Sequence, residues 1–293
     1  MSLPFTRLAR ALHPLGLRGY STVPLCPSPA YDTGCTYCEV PTPSLFEEHK
    51  TPTNTRAFHS KHLLLTSDSP EDPATWPRKL ELAPGTFNQE FTRYKRKMLH
   101  PEYPVLVTST NLTPPLPDKA QEAHKAKNVA SGYLFPDGRY FRDIDINKTP
   151  EFIKQHLVPK EAGEVDGDIT ESLSELFPSE PMDHSLILIC GHRQRDARCG
   201  EIAPLLVNEF RAVLERNGLL YDQPDAATSK DRYRVGICSH IGGHVYAGNV
   251  LIMIPGTLGI WYGNVRPFHV QGIVQETLIN RNIIQELHRG GRF

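Results

Sequence analysis

Two short groups of donor side chains, far apart in sequence, constrain this chain more than any other feature. The first is Cys190-Gly-His-Arg-Gln-Arg-Asp-Ala-Arg-Cys199. The second is Cys238-Ser-His240-Ile-Gly-Gly-His244. Two thiolates and two neutral imidazoles are the donor types that hold transition metals. For them to act together, the fold must return the chain at residue 240 to the loop at residue 190. Gly242 and Gly243 permit a tight turn between the histidines. Arg193, Arg195 and Arg198, offset by Asp196, place positive charge where it favours thiolates.

The local sequence around these groups reads as alternating strand and helix. Ser185 to Ile189 is an apolar strand ending at Cys190. Glu201 to Asn217 carries Ile202, Leu205, Leu206, Phe210, Val213 and Leu214 at helical spacing, with Gly218 as a stop. The favourable amino end of that helix would face Cys199. Arg232 to Cys238, Asn249 to Ile254 and Gly259 to Tyr262 read as strands, and Val270 to Leu287 as a closing amphipathic helix. A sheet with helices packed over it accounts for the order.

Upstream, His62 to Thr66 and Pro104 to Thr108 are strand candidates, and Gly85 to His100 a helix candidate. Ser131 to Ile144 reads as a hairpin around Pro136-Asp137-Gly138. Thr113 to Pro117 is a proline-rich break. Glu161 to Pro181 holds acids and no base, the pattern of a solvated connector. The expected organisation is an α/β chain in four parts. Residues 1–20 form a mitochondrial transit peptide and 21–156 a smaller N-terminal α/β domain with a Cys-rich segment. Residues 157–182 are an acidic linker, and 183–293 form the C-terminal domain.

The transit-peptide expectation comes from charge. Met1 to Tyr31 contains Arg7, Arg10 and Arg18 and no acid, without the long apolar core of a secretory signal. It points to the mitochondrion, with matrix and intermembrane space both open. Over the whole chain of 293 residues, 32 basic residues balance 33 acidic ones, so there is no basic excess of the kind that binds nucleic acid. No apolar run reaches the length of a transmembrane segment.

Spacing leaves three readings of the donor groups open. One is a two-iron, two-sulfur (2Fe-2S) cluster, with two protein ligands on each iron. Another is zinc, although the spacer between Cys190 and Cys199 is long for a structural zinc site. The third has no metal, with buried thiols and locally hydrogen-bonded histidines. Of the other cysteines, Cys35 and Cys38 have the separation of a redox dithiol, but no strand leads into them. Together with Cys26 they could form a redox-active or structural disulfide, a second metal site, or free thiols. Cys238 reads as a buried strand thiol and Trp261 as core, while Arg266 and His269 are candidates to touch a partner or shield the site.

Three segments carry a family resemblance: Cys190 to Gly200, Ser239 to Asn249, and Ile260-Trp-Tyr-Gly-Asn-Val-Arg-Pro267. They resemble the sucrase/ferredoxin-like family. The resemblance implies a C-terminal thioredoxin-like ferredoxin fold with Cys190, Cys199, His240 and His244 as ligands of a 2Fe-2S cluster. It pairs the cysteines on one iron and the histidines on the other. It also implies electron transfer or redox sensing with protein redox partners, in mitochondrial thiol redox quality control. No paired carboxylates support a glycosidase activity. The alternatives are a thiol-disulfide oxidoreductase using Cys35 and Cys38, and a zinc-stabilised interaction module.

Overall fold

Two five-stranded sheets stack face to face, each with helices on its outer side, in a computed structural model. It describes residues 20–46, 50–66, 72–113, 128–159, 176–221 and 231–291. The expected leader, residues 160–175 of the acidic linker and most of the proline-rich break lie outside the described residues.

The N-terminal sheet uses Lys61–Leu65 (β2), Val105–Ser109 (β3), Val129–Phe135 (β4), Arg139–Asp145 (β5) and Ser179–Pro181 (β6), in the order β3-β2-β4-β5-β6. The hairpin of β4 and β5 turns at Pro136 to Gly138, as its sequence predicts. The end of the acidic stretch differs from the expectation of a connector. Ser179–Pro181 adds an edge strand to this sheet, and Arg142 pairs with Glu180 across it. Outside the sheet lie Phe87–Met98 (α1), capped by the Thr86 hydroxyl, and Thr149–Phe152 (α2), which runs on as a wider helical turn over Ile153–Leu157. Leu63 and Leu65 face these helices, while Leu64 faces the second sheet. That is the period-two alternation of a strand with both faces covered.

The C-terminal sheet is built from Ser185–Cys190 (β7), Tyr233–Cys238 (β8), Val250–Met253 (β9), Ile260–Tyr262 (β10) and His288–Gly290 (β12), ordered β12-β10-β9-β7-β8. β7 and β8 are parallel and joined through the helix Ala197–Arg216 (α3). β9 and β10 continue the sheet antiparallel to β7. This β-α-β unit extended by an antiparallel pair is the arrangement that the thioredoxin-like expectation requires. β7 is buried along its whole length: Ile187 and Ile189 face α3, while Leu186, Leu188 and Cys190 face the other sheet.

Two expected boundaries move. α3 starts at Ala197, because the Asp196 carboxylate caps the Arg198 N–H at 3.0 Å, so Cys199 sits inside the first turn rather than ahead of it. The closing helix is shorter than its apolar spacing suggests. Val270–Ile273 (α4) continues as a wider helical turn to Ile279, and Arg281 then takes φ 58. Asn282–Ile284 (β11) pairs in parallel with Ser21–Val23 (β1), and β12 pairs with β10. β-branched Ile283 and Ile284 are buried in the helix-side core by that pairing.

Candidate metal centre

Parallel pairing of β7 with β8 puts Cys190 opposite Cys238, so the loops leaving both strands emerge at the same end. The first loop leads to Cys199 in α3 and the second to His240. Gly191 lets the first loop close onto the sheet, since a Cβ there would lie 2.5 Å from Ile237 Cγ2. Cys190 and Cys199 are both buried, and their sulfurs are hydrogen-bonded to each other. The Cys190 thiol is held well below its ordinary value, first by the bond from Cys199, then by the His240 ring and the Ile241 N–H. Cys199 is pushed well above its ordinary value by donating that bond and by burial. Their shared hydrogen bond thus pulls the two thiols in opposite directions.

His240 is half-buried and His244 exposed, and their ring centroids lie 6.0 Å apart at 30°. Gly242 and Gly243 between them take φ 85 and 71, the left-handed turn that glycine allows. The fold thus brings together the four donors singled out from sequence: sulfur against sulfur, His240 against Cys190, and His244 beside His240. Among the described residues, no three His, Cys, Asp or Glu side chains close on a single ion position. The donors stand as two pairs. Two soft sulfurs in a dry pocket with two imidazoles at its mouth fit a binuclear iron-sulfur core.

Three supporting residues were not singled out in the sequence. His192 is buried, donates from Nε2 to the Pro77 carbonyl at 3.0 Å, and accepts the His240 N–H on Nδ1 at 3.4 Å. Burial holds its ring below the usual histidine value, in keeping with a neutral tautomer. Asn249 is buried, accepts the Cys190 N–H on its carbonyl, and donates from its side chain to Gly243 O at 3.0 Å. Arg289, only 1% exposed, donates to Asn249 Oδ1 at 2.6 Å and Gly242 O at 3.2 Å, and its Nη2 donates to Thr55 O. Its charge acts on both Cys190 and Cys199. His192 and Asn249 lie inside the quoted motifs. Nothing in the local sequence marks Arg289.

The other sequence candidates lie elsewhere. Among the described residues all six cysteines are free thiols. Cys35 and Cys38 share a turn, Cys38 N–H to Cys35 O at 3.0 Å, and their thiols are hydrogen-bonded. That turn is anchored on α3: Thr36 Oγ1 donates to Glu209 at 2.9 Å, and Thr33 also donates to that buried carboxylate. Glu209 lies about 15 Å beyond Cys199 along the helix axis. The Cys-rich segment therefore rests on the helices of the C-terminal sheet, at a second place. Cys35 is pushed up to about 12 by burial, the bond with Cys38, and the charges of Glu209 and Asp32. Cys26 is pushed up to about 12 by burial and by Glu286 and Glu276, and its thiol donates to His269 O. Cys238 and Trp261 are fully buried. Arg266 turns inward to the carbonyls of Ala247 and Val265, and His269 Nδ1 accepts the Arg266 N–H.

With this fold and donor arrangement, the chain belongs to the sucrase/ferredoxin-like family, whose model matches residues 52–290. Among curated proteins it is similar to altered inheritance of mitochondria protein 32 from several yeasts. The protein from Clavispora lusitaniae is 38% identical over 288 residues, covering 94% of this chain and 97% of that one. The Debaryomyces hansenii protein is 36% identical, covering 86% and 89%. The Meyerozyma guilliermondii protein is 34% identical, covering 90% and 93%. No solved structure matches.

Proposed function

We propose that this chain is a one-electron redox protein whose Cys190, Cys199, His240 and His244 hold a 2Fe-2S cluster. The observation that carries the reading is the packing of two buried, mutually bonded sulfurs against His240, with the His244 ring alongside. When bound, such a cluster supplies a single reversible electron, at a potential raised by neutral imidazole ligands relative to four thiolates. The chain's own residues dehydrate the sulfur end and place Arg289 beside it. They hold the histidine loop through Asn249 and His192, and they leave His244 open to water. The eight-residue spacer between Cys190 and Cys199 is long for a structural zinc site and favours a bulkier binuclear core.

The thiol-disulfide alternative at Cys35 and Cys38 is weaker chemically. A reactive dithiol needs a stabilised thiolate, and Cys35 has acids and no cation among the charges acting on it. The relatives' names and the acid-poor, Arg-bearing leader support a mitochondrial setting, with thiol redox quality control as the process served. Among the described residues no helix is long and apolar enough to cross a membrane.

Anaerobic purification, assay of iron, sulfide and zinc, and a visible spectrum test the reading. About two irons and two sulfides per chain with charge-transfer bands are expected. Stoichiometric zinc without visible absorption would overturn it.

A further inference from the structure

Two guanidinium groups lie under one cavity, and neither meets a carboxylate among the described residues. Arg56 lies over one part of the Trp261 ring system at 5.6 Å, and Arg289 lies 5.7 Å from its centroid. Burial lowers the pKa of both. Arg289 spends its donors on Thr55, Gly242 and Asn249. Arg56 is less well served. Its Nη2 reaches His59 Nε2 at 3.2 Å, while its Nε is buried with no partner. His59 donates from Nδ1 to Ala57 O, so its Nε2 is a neutral acceptor that brings no negative charge. A half-buried cation with a buried, unpartnered Nε and no counter-charge is costly, and a positioned anion offsets that cost.

The cavity above them holds about 330 Å³ and is lined by Asn54, Arg56, His59, Leu258, Arg289 and Gly290, with Phe58 at its rim. Glycine keeps it open: a Cβ at Gly290 would lie 3.0 Å from Arg56 Cβ, against the side chain on the cavity floor. Phe58 is 77% exposed, an apolar ring standing at a charged opening.

We propose that this cavity binds a small organic oxyanion, a carboxylate or phosphate ester with a short apolar body. The anionic group pairs with Arg56, and the apolar part lies between Phe58 and Leu258. Arg289 forms the inner wall, and its far edge holds Gly242 between the two histidines. The occupant's charge is therefore felt at the donor site. That second step rests on the cluster reading, and there the bound anion lowers the midpoint potential.

Calorimetry on the purified protein at fixed ionic strength tests this with benzoate and phenyl phosphate, using benzyl alcohol as the neutral control. Saturable binding of one or both anions, one per chain, and none of the alcohol is expected. Which anion binds separates a carboxylate from a phosphate ligand. Arg56→Gln should weaken binding at least tenfold and Arg56→Lys should recover part of it. Leu258→Trp, which fills the cavity and keeps both arginines, should block it. No saturable binding of either anion, or an affinity in Arg56→Gln or Leu258→Trp equal to that of the parent, overturns the proposal. Iron and sulfide are assayed on the same preparation. Anion binding by an iron-free chain would sink the cluster reading alone. A loaded chain that ignores both anions would sink only the anion site.

Discussion

Gly242→Ala and Gly243→Ala form a matched pair that isolates the role of Arg289. Both glycines have positive φ, 85 and 71, so either alanine pays for a left-handed backbone, about 1–2 kcal/mol. At Gly242 nothing lies within 4 Å of the added Cβ. At Gly243 the same atom would meet the Arg289 guanidinium, 2.7 Å from Cζ. Arg289 is buried and bonded on both edges, so it cannot swing aside without giving up Gly242 O or Asn249 Oδ1. Losing one bond from a charged donor adds about 1.5–3 kcal/mol. The expected destabilisation is about 1–2 kcal/mol for Gly242→Ala and about 2.5–5 kcal/mol for Gly243→Ala. Urea unfolding followed by fluorescence of Trp76 and Trp261, both buried, measures it. In an Arg289→Met background the extra cost of Gly243→Ala should vanish, a coupling that only neighbouring groups show. Equal losses in the two variants, or an unchanged difference in the Arg289→Met background, would refute the placement of this arginine.

His240→Ala or His244→Ala should abolish the visible absorption and the bound iron, whereas replacing either by cysteine should retain a cluster at lower potential; full iron in both alanine variants would refute the ligand assignment. Cys35→Ser with Cys38→Ser should leave the visible spectrum unchanged. With its pKa about 12, Cys35 should alkylate with iodoacetamide more slowly than a free cysteine at pH 8, and Glu209→Gln should speed it. His59 is lowered to about 4 by burial and by Arg56. Between about pH 6.5 and 4 the unfolded chain takes up the proton that the folded one refuses. This contribution is therefore complete above pH 6.5 and is lost as pH falls towards 4. Urea midpoints at pH 7 and pH 5 should differ less in His59→Gln than in the parent.

Local pattern carried the sequence reading a long way. The apolar run at Ser185–Cys190, the periodic face of α3 and the turn of the β4–β5 hairpin are all specified by neighbours in the chain. The reading failed where the deciding partner was distant. Ile284 continues the helical spacing expected over Val270 to Leu287, but a parallel strand at Ser21–Val23 draws it into a sheet. The Cys-rich segment offered no clue that Glu209 would seat it, because the two threonines and the carboxylate are far apart in sequence. Arg289 was invisible for the same reason. That Cys190, Cys199, His240 and His244 would gather at one end of the sheet was legible because they fell within two short motifs; Arg289, which braces the histidine turn, came from elsewhere.

His192 makes the donor site a seam as well as a pocket. It stands on the cysteine loop, accepts the His240 N–H on one ring nitrogen, and reaches the Pro77 carbonyl of the N-terminal half with the other. Ser239, next to His240, is fastened to Ser109 of the opposite sheet in both directions, through its own N–H and through its hydroxyl. A shift of one half against the other would therefore tug on both loops at once, so damage far from the sulfurs can still loosen their surroundings.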